Sequence, residues 1–83
     1  MGSVEIKAIV RDALNVQWDS FAARHPALAA AIDQELLAET CMRDLRDDAE
    51  FQEATRALET APLFAPIVQE TIARIVKAWL LRM

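Results

Sequence analysis

The residues with the chemical capacity to react are few. The chain of 83 residues holds one histidine, His25, and one cysteine, Cys41. A cysteine nucleophile needs a base within hydrogen-bond reach, and no local motif joins these two, so only tertiary folding could pair them. Cys41 sits between Leu37 and Leu45 at helical spacing, which reads as a buried, inert thiol. His25 stands before Pro26 and reads as a helix-end residue. The enzyme or small-ligand alternative is therefore a bundle with a pocket around Trp18, Phe21, His25 and Cys41. No CxxC, HExxH or ExxH spacing occurs, which speaks against structural zinc or a di-iron site. Gly2 is the only glycine, so no phosphate-cradling loop can form, and Ser3 and Ser20 lie in no Gly-x-Ser-x-Gly turn. The expectation is no catalytic residue, no cofactor and no metal.

The carboxylates are the more numerous group. Glu35 and Glu39 lie one helical turn apart, and Asp44, Asp47, Asp48, Glu50 and Glu53 crowd the stretch that follows. The glycine and ligand order of an EF-hand are missing there. Interleaved Arg43, Arg46 and Arg56 favour a solvated face of mixed ion pairs. The sharper reading makes Asp44, Asp47, Asp48, Glu50 and Glu53 a docking face for a basic partner. The formal charge of −4 is unevenly placed. Residues 1–32 balance, residues 33–59 are strongly acidic, and residues 60–83 are basic. Attraction between the acidic middle and the basic end of the chain accounts for this asymmetry most simply. Nucleic acid is an unfavourable partner for such a molecule.

These groups must be positioned by helices. Ala, Leu, Glu, Arg and Gln are abundant, no alternating strand pattern appears, and no Asn-Gly or Asp-Gly hairpin signal is present. The longest clear pattern is the last one. Val68, Ile72, Ile75, Val76, Trp79 and Met83 recur every three or four residues, which predicts an amphipathic helix over 66–83. Arg74, Lys77 and Arg82 opposite this stripe also resemble an in-plane membrane helix, but three bases make a thin polar face.

The first helix spans 4–25, with Ser3 as N-cap and Glu5 suited to the helix dipole. Its stripe of Ile6, Ile9, Val10, Ala13 and Leu14 rotates toward Trp18 and Phe21, so either one long helix or a break near Asn15 fits. Pro26 begins a second helix over 27–46. That helix carries two stripes, Leu28, Ile32 and Leu36 on one and Leu37, Cys41 and Leu45 on the other, and so should touch two neighbours. A third helix over 48–60 starts at Asp47 as N-cap, with Glu50 completing a capping box. Ala61 to Pro66, with two prolines, forms the turn into the last helix.

One domain, residues 1–83, is all the length allows, and a domain this small buries only about 60–65 % of its unfolded surface. Met1-Gly2-Ser3 reads equally as a native start or an expression leader. The fold expected is all-α: a small compact bundle of four or five helices, packed as a homodimer. Leu37, Cys41, Leu45, Ile67, Leu80 and Leu81 are the candidate oligomer interface. The function expected is a non-enzymatic protein–protein interaction module with an acidic docking face. The alternative in another class is a small antitoxin-like or phage-type inhibitor acting by acidic mimicry. The composition has a bacterial or phage texture. The lone cysteine, the absence of a signal peptide and the lack of a long apolar run point to the cytoplasm rather than to a membrane.

Overall fold

A computed structural model describes the backbone of residues 2–82 and the side chains of residues 6–82. The expectations for Ser3, Glu5 and Met83 lie outside those side chains. Five α-helices follow one another: α1 (Gly2–Arg24), α2 (Pro26–Ala31), α3 (Gln34–Leu45), α4 (Ala49–Thr60) and α5 (Ala65–Leu81), with a 3-10 turn at Pro62–Phe64 before α5. No strand occurs among the described residues. The all-α bundle expected from composition and periodicity is what forms.

The spine is α1, whose 23 residues are unbroken through Asn15. At about 1.5 Å per residue it is roughly 35 Å long, nearly the full 40 Å length of the molecule, which is 20 Å by 19 Å across. A straight helix explains why the apolar stripe drifts. Ile6, Val10, Ala13 and Leu14 are buried against α5 and α3, while Phe21, further along, is buried where α2 folds back on α1.

The return along α1 is not one helix. Ile32 is extended at φ −123° and ψ 135°, and Asp33, at φ −89° and ψ 166°, caps α3 by accepting from the Leu36 backbone N–H at 2.7 Å. An Asp three residues ahead of the N–H it accepts from starts a new helix, because it satisfies one of the otherwise orphaned first-turn donors. The expected helix over 27–46 is thus corrected to two. The break also removes the evidence for a helix with two apolar faces. Leu37, Ala38, Cys41 and Leu45 form the buried face of α3, while Leu36 belongs to the exposed side. What reads as two stripes on one helix is a change of phase across a break.

At the far end of α3 the chain turns at Arg46–Asp47. Asp48, not Asp47, caps α4 by accepting from the Phe51 N–H at 2.9 Å. The Gln52 side chain donates to the Arg46 carbonyl at 2.8 Å and closes the corner. The cap expected at Asp47 moves to Asp48, and the capping box with Glu50 does not form, because the third helical position is then Phe51 and Glu50 pairs with Arg74.

Helix α5 closes the bundle against α1 on one side and α4 on the other. Two neighbours need a wide stripe, so Val68, Ile72, Ile75, Val76, Trp79 and Leu80 are all buried. Leu80, expected at the margin and free for a second chain, belongs to this core. With Ile6, Leu14, Phe21, Leu37, Cys41 and Phe51 these residues form one continuous apolar cluster.

Candidate functional site

The ion pairs set the direction of the elements. Lys7 Nζ lies 2.7 Å from Glu35 and 3.4 Å from Glu39, and Arg11 Nη1 lies 2.8 Å from Glu35, so α3 runs antiparallel to α1. Arg74 on α5 meets Glu50 on α4 at 3.1 Å, while Ala57 and Val68 line one depression further along, so α4 and α5 are antiparallel too. These are surface pairs, which orient helices more than they stabilise them. The hydrogen bonds and charges of Lys7 and Arg11 hold the Glu35 carboxyl below its ordinary range. Lys7 is correspondingly raised, chiefly by its hydrogen bond to Glu35.

It follows that the two ends of the rod differ. One end gathers the start of α1, the end of α3, the start of α4 and the end of α5, and holds most of the charge. The other gathers the end of α1, α2, the 3-10 turn and the start of α5. That second half is apolar: residues 16–32 contain only Asp19 and Arg24 as formally charged groups, and residues 60–69 contain none.

At the charged end, Asp44, Asp47 and Asp48 line one depression and Glu50 and Glu53 another along α4 and α5, and three of the five have work within the chain. Asp44 accepts from the Trp79 indole N–H at 3.1 Å, Asp48 caps α4, and Glu50 pairs with Arg74. Asp47 and Glu53 enter none of the side-chain hydrogen bonds or ion pairs formed among the described residues. A shallow depression of about 620 Å³ opens here, lined by Thr40, Asp44, Leu45, Asp47, Asp48, Trp79 and Arg82. No three of the described His, Cys, Asp or Glu side chains converge in a way that could hold a metal ion.

The candidate chemical pocket divides in the fold. Trp18, Phe21 and His25 do come together on α1, with ring centroids 5.6 Å apart for Trp18–Phe21 and 5.3 Å for Phe21–His25, both tilted. Cys41 does not join them. It lies in α3 beside the first half of α1, whereas His25 ends α1 at the opposite end of the rod. Burial, helped by the charge of Asp44, pushes the Cys41 thiol up to about 12, the opposite of what a nucleophile requires.

Of the six residues named for an oligomer interface, Leu37, Cys41, Leu45 and Leu80 are corrected to core: each is sealed inside the single chain, where no second chain can reach it without opening the bundle. Ile67 and Leu81 are exposed at 62 % and 58 %. They lie at opposite ends of α5. The exposed apolar residues that sequence periodicity passed over are Val16, at 79 %, Leu63, at 87 %, and Phe64, at 54 %. Val16 continues the spacing of Ile9 and Asp12 on α1, off the main stripe, and that offset was the available signal. Leu63 and Phe64, in the turn between α4 and α5, do not plug the end of the bundle. The 3-10 turn instead holds them outward.

Beside them runs an open groove of about 670 Å³ between α1 and α5. Ala8, Ala13, Ala65 and Ala73 give it depth because their side chains stop at Cβ, and Ile9, Val16, Leu58 and Pro62 form its apolar walls. Asp12 and Gln69 are its only polar lining residues. This groove and its rim can bind apolar side chains, and Asp12 is the one ionisable residue in its lining. Among the described residues no helix is long and apolar enough to cross a membrane. Comparison with protein-family models, with curated proteins and with solved structures finds no match to this chain.

Proposed function

We propose that the chain is a non-enzymatic helical interaction module that works by associating with protein, in the first instance as a homodimer. The observation that carries this reading is the concentration of exposed large apolar side chains, Val16, Leu28, Leu63, Phe64 and Ile67, in the half of the rod that has almost no charge. Of these, Val16, Leu63 and Phe64 gather beside the α1–α5 groove, and a cluster of large apolar side chains left to water marks an interaction site. A domain of this size also gains most from association, because its own core is small.

The acidic corner has a secondary place in this proposal. With Asp44, Asp48 and Glu50 engaged inside the chain, Asp47 and Glu53 are what remain for a basic partner. Inhibition by acidic mimicry is correspondingly the less supported reading. Sedimentation equilibrium across micromolar concentrations tests the proposal. A reversible monomer–dimer equilibrium is expected, and a chain that stays monomeric at every accessible concentration refutes the homodimer.

A further inference from the structure

Resting on the interaction reading above, we infer that the second copy docks through the apolar half, with Val16, Leu63 and Phe64 of each copy seated at the α1–α5 groove of the other. Three observations converge on that occupant.

The first is charge. Each copy carries −4, so two copies brought together at the α3–α4 corner would oppose Asp47 and Glu53 to their own images. Like charges placed face to face are costly, and specific interfaces avoid them. Contact through residues 16–32 and 60–69 and the groove brings in three charged side chains, Asp12 of the groove lining, Asp19 and Arg24, against the crowded carboxylates of the acidic corner. This surface opposes fewer like charges than the α3–α4 corner does, and its use leaves the acidic corners apart.

The second is shape. A two-fold interface uses the same surface on both copies, so that surface must carry both a projection and a recess. Leu63 and Phe64 project from the 3-10 turn, and the alanine-floored groove, with Val16 and Pro62 at one end, lies next to them. The third is the absence of what other partners need. A lipid surface of anionic headgroups requires a row of cations beside the apolar face, and Arg24 is the sole Lys or Arg in these two segments. A highly charged protein would find no complementary charge here.

The experiment compares the unmodified chain with Phe64→Asp, Val16→Glu and, at the opposite end of α5, Leu81→Glu. All three positions are exposed, so none of the substitutions opens the core; thermal unfolding checks that each variant is folded. Phe64→Asp and Val16→Glu are each expected to raise the dimer dissociation constant at least about 30-fold, with Leu81→Glu changing it by less than about threefold. Raising salt should leave dimerisation unchanged or slightly tighter, since the contact is mostly apolar, with Asp12 the only charged residue of the groove lining, and the net charges repel. Dimers that persist in Phe64→Asp and Val16→Glu but dissociate in Leu81→Glu would overturn the assignment of the face while leaving homodimerisation intact. A monomer in the unmodified chain would overturn both. A monomer that instead partitions onto phosphatidylcholine vesicles would identify lipid as the occupant and likewise overturn the inference.

Discussion

The hydrogen bond from Trp79 to Asp44 decides whether the acidic corner is structural or available, and a double-mutant cycle measures it. Trp79 is almost wholly buried in the α5 face, and its indole Nε1 donates to Asp44 Oδ2 at 3.1 Å, tying the end of α5 to the end of α3. Trp79→Phe removes the donor and part of the ring. The lost contact and residual cavity should cost about 1–2 kcal/mol, with the hydrogen bond adding to it. Bonds to a charged acceptor reach about 1.5–3 kcal/mol when buried, but the Asp44 carboxylate is open to solvent, which brings the expected value to about 1 kcal/mol. Asp44→Ala should therefore cost about 1 kcal/mol alone, and much less in the Trp79→Phe background. Urea unfolding followed by helical circular dichroism is the suitable assay, because it does not depend on the tryptophan being replaced. The expected coupling is about 1 kcal/mol, worth roughly 4–8 °C in Tm for a domain this small. Asp47→Ala, in contrast, should stay within about 0.5 kcal/mol of zero. A coupling below about 0.3 kcal/mol, inside the usual error of additivity, would refute the argument that Asp44 is spent on the fold and would return it to the docking face.

Further expectations follow from the caps, the thiol and the ion pairs. Asp33→Ala should lower stability by about 1 kcal/mol through loss of the α3 cap, whereas Asp33→Asn, which keeps an accepting oxygen, should restore most of it in the same denaturant titration. Cys41 should react with a soluble disulfide reagent only as fast as the bundle opens. A folded-state rate like that of a free thiol at pH 8 would contradict its burial. Because the Cys41 thiol is raised from 9.0 to about 12 on folding, the folded state holds its proton where the unfolded chain has lost it. That contribution is complete below pH 9 and fades as pH rises toward 12. The raised Lys7 acts in the same direction, so a Cys41→Ser comparison of stability from pH 8 to 11 isolates the thiol's part. The lowered Glu35 works at the other extreme. Its contribution is present above pH 4.5 and lost as pH falls through the folded value, so Glu35→Gln should flatten the acid limb of the stability profile and do so less at high salt.

How much of this was legible beforehand depends on how local the cause is. Helical spacing in Ile6 to Leu14 and in Val68 to Trp79 is a property of neighbouring residues, and both helices form with those faces inward. The break at Ile32–Asp33 was hidden because Asp33 is followed by good helix formers, and an aspartate inside a helix and one capping it look the same in a sequence with no glycine or proline nearby. The same ambiguity, between two adjacent aspartates, moved the α4 cap from Asp47 to Asp48. The interface residues were misplaced for a different cause. Leu36 and Leu37 are neighbours on α3, and it is the packing of α3 on α1 that turns Leu37 inward and leaves Leu36 to solvent, which no periodicity within the segment decides.

The sequence by itself therefore determined the class: helices, because of composition and three-to-four spacing. Only the tertiary structure decided which carboxylates are occupied and which apolar residues are left over. Asp44 and Trp79 are 35 positions apart, and Val16 meets Pro62 and Ala65 only because α1 and α5 lie side by side. Whether a side chain is spent or spare depends on what the other helices cover, and that is settled by the packing of the whole chain rather than by any stretch of it.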